Sequence, residues 1–162
     1  MSGATGRTRS ALRLEWRFRL ALYGVFALLV VTGAAWLAAD RLKDAPFDDV
    51  ARELWQQAAA WLLMIHGGCA MVTLMLLGAL IPVHAMRAWR ARRNRMTGTA
   101  MASVNAALIA TGFGLYYFGS ETLRPLASVA HIALGFVLPL LIVVHVLTGL
   151  RSRGSAGSKV GR

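Results

Sequence analysis

The sequence predicts an all-α fold, a four-helix bundle integral to a membrane with both termini on the cytoplasmic side. Three observations carry this. Of 162 residues, 57% are hydrophobic and only 15% charged, too apolar for an ordinary soluble domain. Four stretches, residues 20–39, 54–86, 96–120 and 125–150, contain no Asp, Glu, Lys or Arg, and each reaches the roughly 20 residues a helix needs to cross about 30 Å of hydrocarbon. These runs do not alternate as barrel strands must, so helices are the spanning form.

The charges orient the bundle. Of the 18 basic residues, 14 fall before the first run, between the second and third, or after the fourth. Six of the seven acids, Asp40, Asp44, Asp48, Asp49, Glu53 and Glu121, fall at the opposite end. That is the positive-inside pattern of a multi-pass protein of a bacterial inner membrane. The net charge of +11 therefore reads as an orientation signal with affinity for anionic lipid, not as a nucleic-acid surface.

Residues 1–19 form a basic cytoplasmic arm at headgroup level. The apolar run that follows is longer than the core of a cleaved signal peptide and reads as a retained first span. The expected helices cover about 20–39, 58–86, 97–118 and 126–150 within one domain of residues 20–150. An acidic, Pro46-containing loop from residue 40 to about 57 faces outward, and the Arg-rich turn 87–95 faces inward. The Gly- and Ser-rich tail 151–162 is expected to be disordered.

All four histidines lie in the second and fourth spans: His66 and His84, His131 and His145. An ionisable side chain inside a membrane points to function, because imidazole in hydrocarbon costs free energy unless it is partnered. Both spans run from outside to inside, so His66 and His131 share the outer leaflet and His84 and His145 the inner. At about 100° per residue, separations of 18 and 14 residues keep each span's two histidines on one stripe. The expected result is two sites of two imidazoles each.

Paired neutral imidazoles suit low-spin haem iron, whose two axial positions are then filled for electron transfer. Neither pair has an Asp, Glu or Cys beside it to complete a zinc site. The single cysteine, Cys69, excludes a c-type attachment motif and any cysteine-ligated cluster. Gly67, Gly68, Gly78 and Gly135, with Gly24, Gly33, Gly112 and Gly114 on the other spans, can admit a flat ring or simply pack helices closely. Arg87, with Arg90 and Asn94, and Arg124 at the outer end are candidate partners for haem propionates, although cations are common at helix ends in any case. Trp55, Trp61, Trp89, Tyr116 and Tyr117 read as an aromatic belt.

The segments HGGCAMVTLMLLGALIPVHAMRAWRARRNR (66–95) and SVAHIALGFVLPLLIVVHVLTG (128–149) resemble the four-helix di-haem cytochromes b, the cytochrome b561-like group, with the cytochrome b subunits of hydrogenases and formate dehydrogenases as relatives. The resemblance implies two stacked b-type haems, ligated by His66 with His131 and by His84 with His145. It further implies electron exchange between quinone and a partner redox subunit. The acidic loop 40–53 could dock a basic periplasmic cytochrome by electrostatic steering, or simply be solvated, and so small a chain with little mass outside the membrane is expected to belong to a larger complex. Two other readings remain open at this point: a non-redox membrane anchor or assembly subunit, and a b561-like oxidoreductase acting on quinol or superoxide.

The two spacings differ. At 1.5 Å per residue the histidines are about 27 Å apart along the second span and about 21 Å along the fourth, so one pair should match less well. Pro82 removes a hydrogen bond to Gly78 and is expected to kink the second span near His84.

Overall fold

The computed structural model describes residues 16–92 and 94–157, without the side chains of residues 83 and 152–157. Residues 1–15 of the basic arm, Arg93 and tail residues 158–162 lie outside the described part. The described residues form helices joined by short turns, and four of these helices are long and apolar enough to cross a membrane. Helix α1 spans Trp16–Leu42, α2 Asp49–Leu80, α4 Arg95–Tyr117 and α5 Leu123–Gly157; a π-helical turn, Ile81–Ala85, and the short α3, Met86–Arg90, extend α2.

Each of the four long helices begins outside the apolar run that predicts it, and α1 and α5 also end outside theirs, whereas α4 ends at Tyr117, three residues inside its run. The largest difference is at α2, which begins nine residues before the expected start. The segment 49–57 therefore belongs to the helix and not to an outer loop. Asp48 caps it: its backbone is extended (φ −65°, ψ 166°) and its carboxylate accepts a 2.7 Å bond from the Ala51 N–H. Asp49 and Arg52 pair at 3.0 Å and Gln57 donates to Glu53 at 3.2 Å, one turn apart each, so polar residues at helical spacing carry the helix beyond the hydrocarbon. Residues 43–48 are all that remain of the loop. At the other terminus, residues 151–157, expected in the tail, continue α5.

The close helix pairs are α1 with α2 and α4 with α5, with a smaller contact from α1 to α5. The fold is thus two hairpins. The turn between them is tight: Arg92 and Asn94 take left-handed backbone (φ 54° and 48°), and Arg95 donates to the Trp89 carbonyl at 2.8 Å while stacking over its indole. The first α5 turn begins under Ser120, whose hydroxyl accepts from the Leu123 N–H at 3.2 Å.

Few side chains are buried, among them Phe26, Ala39, Ala59, Ala127, Leu138, Thr32 and Thr73. Large apolar residues such as Leu28, Met71, Met75, Leu126 and Leu140 face outward. In water this would be a prohibitive apolar surface; against lipid tails it is the ordinary one.

Pro82 acts differently from a simple kink. It lies in a π turn in which the Met86 N–H bonds to the Ile81 carbonyl five residues back. A wider turn takes up one extra residue, which withdraws about 1.5 Å of axial advance from a mismatch of about 6 Å between the two histidine spacings. Helix inclination and the reach of the imidazoles take up the rest. Pro139 in α5, by contrast, is accommodated without a π turn.

The Asp48 cap gives a direct test of the longer α2. Asp48→Ala is expected to destabilise the detergent-solubilised protein by about 1 kcal/mol, and Asp48→Asn by much less, read as the shift in chemical unfolding midpoint; equal, negligible effects would place the cap elsewhere.

Candidate functional site

The two hairpins bring the four histidines together as two pairs. The rings of His66 on α2 and His131 on α5 have centroids 6.3 Å apart at an interplanar angle of 77°. His84, in the π turn, and His145 on α5 stand 6.2 Å apart at 72°. The unequal spacing does not spoil the inner pair. Each histidine meets the partner that its depth predicts.

A threonine on a neighbouring helix holds three of the four rings. The Nδ1 of His66 lies 3.1 Å from Thr32 Oγ1 on α1, that of His131 2.9 Å from Thr111 Oγ1 on α4, and that of His145 3.0 Å from Thr97 Oγ1 on α4. The threonines' own protons are directed elsewhere. Thr32 donates to the Leu28 carbonyl at 2.6 Å and Thr111 to the Ala107 carbonyl at 2.7 Å, each one turn back along its helix; Thr97 has the Asn94 carbonyl at 3.4 Å. A hydroxyl has one proton and two lone pairs. With the protons of Thr32 and Thr111 committed to short backbone bonds, their oxygens accept from the imidazoles, so Nδ1 of His66 and of His131 carries the ring proton and Nε2 keeps a lone pair.

The glycine beside two of these threonines fits the ring against the helix. A methyl group on Gly33 would stand 3.2 Å from His66 Cε1, and one on Gly112 3.4 Å from His131 Cε1. Thr-Gly pairs on α1 and α4 thus form a cradle, the threonine holding the ring's nitrogen and the glycine its edge. Of the other glycines expected to make room, Gly24, Gly68, Gly78 and Gly135 have nothing within 4 Å, Gly67 faces the Tyr116 hydroxyl at 3.7 Å, and Gly114 lies beneath the Phe118 ring.

The chemistry of this donor set can be tested against metal geometry. A nitrogen bound at about 2.0 Å puts the imidazole centroid about 3.1 Å from the metal, so two trans imidazoles on one ion stand about 6.3 Å apart. Both pairs have that separation. Among the described residues no group of three or more His, Cys, Asp or Glu could hold a metal ion, so what the bundle offers is paired axial nitrogens and not a tetrahedral cage.

Compared with family models, curated proteins and solved structures, the chain gives no match. The site must therefore be read from its own geometry.

The arginines are less integrated. Arg87 follows His84 by one turn on α3, and Arg124 stands at the outer start of α5, both exposed. Arg90, with Ala85, Met86 and Trp89, borders a shallow inner cleft beside the π turn. Asn94 has its amide against Gly149 of α5, where a methyl group would meet it at 3.2 Å; it ties the inner turn to the end of α5.

Thr32, Thr97 and Thr111 were not expected from sequence as site residues. A signal for them does exist. Thr97 and Thr111 are fourteen residues apart, as are His131 and His145, which is what two antiparallel neighbours need to bond at two levels. The Thr-Gly pair occurs at 32–33, 97–98 and 111–112, and also at 5–6 and 148–149, so the dipeptide alone does not single out the three site threonines.

The proton assignment predicts an NMR result. In metal-free protein with ¹⁵N-labelled histidine, His66 and His131 should show a protonated Nδ1 and an unprotonated Nε2 at neutral pH. A protonated Nε2 at these positions would reverse the hydrogen-bond direction inferred here.

Proposed function

We propose that this protein is a di-haem b-type cytochrome that carries electrons across a bacterial inner membrane, between quinone or quinol and a partner redox protein or subunit. The observation that carries the reading is the pair of histidine separations, 6.3 and 6.2 Å between ring centroids, the value that two trans axial imidazoles require. Free Nε2 atoms on threonine-anchored rings support it.

Haem bound at these positions supplies the one-electron chemistry. The chain's own part is to ligate and to insulate. His66 with His131 would hold one haem and His84 with His145 the other, each through two imidazole nitrogens. Helices α1 and α4 fix the rings through Thr32, Thr97 and Thr111. The apolar surface keeps water and ions away from the outer pair. Arg87 and Arg124, one toward each end of the bundle, would take propionates by charge-assisted bonds.

Orientation follows from charge. Arg17, Arg19, Arg87, Arg90, Arg92, Arg95 and Arg151 lie at one end of the hairpins, and Asp40, Asp44, Asp48, Asp49, Glu53 and Glu121 at the other. The basic end is cytoplasmic by the positive-inside rule, and with it both termini. The His66–His131 site is then the outer one. A bundle this small, with short connections outside the membrane, is suited to be one subunit of a larger complex.

A reduced-minus-oxidised visible spectrum and a haem count test the reading. The purified protein is expected to show a b-type α-band and two haems per chain. His66→Ala and His131→Ala should each lower the count to one, and so should His84→Ala and His145→Ala. Absence of any Soret band in the folded wild-type protein would leave a non-redox membrane anchor as the better reading.

A further inference from the structure

We infer that Thr32, Thr97 and Thr111 are positioning residues that set the electron donation of the histidines they hold, and that their uneven placement makes the outer site the more reducing of the two. This rests on the di-haem reading above and goes beyond it, because it concerns residues that touch only the ligands.

The inference starts from where the ring protons go. A histidine that donates its Nδ1 proton to a fixed acceptor is a more basic ligand through Nε2, and a more basic ligand favours ferric over ferrous iron. In the outer site both imidazoles have such an acceptor, Thr32 for His66 at 3.1 Å and Thr111 for His131 at 2.9 Å. Both hydroxyls are themselves locked by short bonds to backbone carbonyls, so neither can turn its proton toward the ring. In the inner site His145 has Thr97 at 3.0 Å, and among the described residues no hydrogen-bond partner is recorded for His84.

The asymmetry has a sequence origin. On α4 the two acceptors, Thr97 and Thr111, are fourteen residues apart. On α2 the two histidines are eighteen residues apart, and the residue eighteen before Thr32 is Leu14, whose side chain has no hydrogen-bonding group. The outer level is thus built symmetrically from the two hairpins, and the inner level is not. Charge acts in the same direction. Arg87, Arg90, Arg92 and Arg95 gather at the inner end, and cations nearby disfavour the ferric form. Electrons entering at the outer site therefore pass downhill to the inner one.

The test is a spectroscopic redox titration of the haem-loaded full chain in detergent. The wild type should titrate in two waves. His84→Ala, which keeps only the outer haem, should retain the more negative wave; retention of the more positive one would overturn the assignment. Thr111→Val and Thr32→Val should each raise the more negative wave by about tenfold in the ferric/ferrous equilibrium, about 59 mV for one electron, with the other wave unmoved. Thr97→Val should raise the more positive wave. Thr111→Ser, which restores the hydroxyl, should return the wave to its wild-type position. Valine variants that titrate as wild type overturn the inference while leaving the di-haem reading intact. If a valine variant loads no haem, loading of the serine variant supports the hydroxyl's role and failure of both overturns it. A wild-type protein that binds no haem overturns the functional reading and the inference together.

Discussion

An imidazole inside a bilayer has two polar nitrogens and no water to satisfy them, and the architecture of this bundle follows from meeting that requirement. In the outer pair one nitrogen of each ring is directed sideways, to a threonine of the adjacent helix in its own hairpin. The other is left for the space between the hairpins. Unsatisfied polar groups in hydrocarbon cost several kcal/mol each, and three of the four histidines have a hydroxyl of the neighbouring helix at the same depth, while His84 is exposed.

That pairing explains why α1 and α4 have to be there. They carry no histidine, yet each is packed against a helix that does. Their Thr-Gly steps provide an acceptor and a flat place for the ring edge. The acceptor works because a threonine in a helix can return its proton to the carbonyl of the preceding turn, a bond that is worth little in itself but fixes the direction of the next one. The tautomer of the histidine is therefore decided two bonds away from the ring, by helix geometry.

The inner level is held together differently. The histidine spacings of eighteen and fourteen residues cannot both match in straight α-helices, and the π turn at Ile81–Ala85 lies where the correction is needed. Proline has no N–H to give the i−4 carbonyl, so a widened turn at Pro82 sacrifices little that was available. His84, carried on that turn, reaches His145 at the same centroid separation as the outer pair. It does so at an exposed position near the arginine-rich end, so the two levels share a geometry and differ in surroundings.

The sequence by itself determined the four spans, the segregation of charge, and the partner of each histidine. These depend on composition, on helical periodicity and on chain direction, which are properties of each span alone. It misjudged the start of α2, because a helix that continues past the membrane is supported by a cap and by polar i,i+3 and i,i+4 pairs, and these lie outside any apolar run. It treated Pro82 as a kink, since a π turn and a kink have the same sequence signal. Thr32, Thr97 and Thr111 emerged only in the tertiary structure: a threonine in an apolar helix is unremarked until a second helix places an imidazole within 3 Å or so of its hydroxyl, and which helix does so depends on the packing of the hairpins.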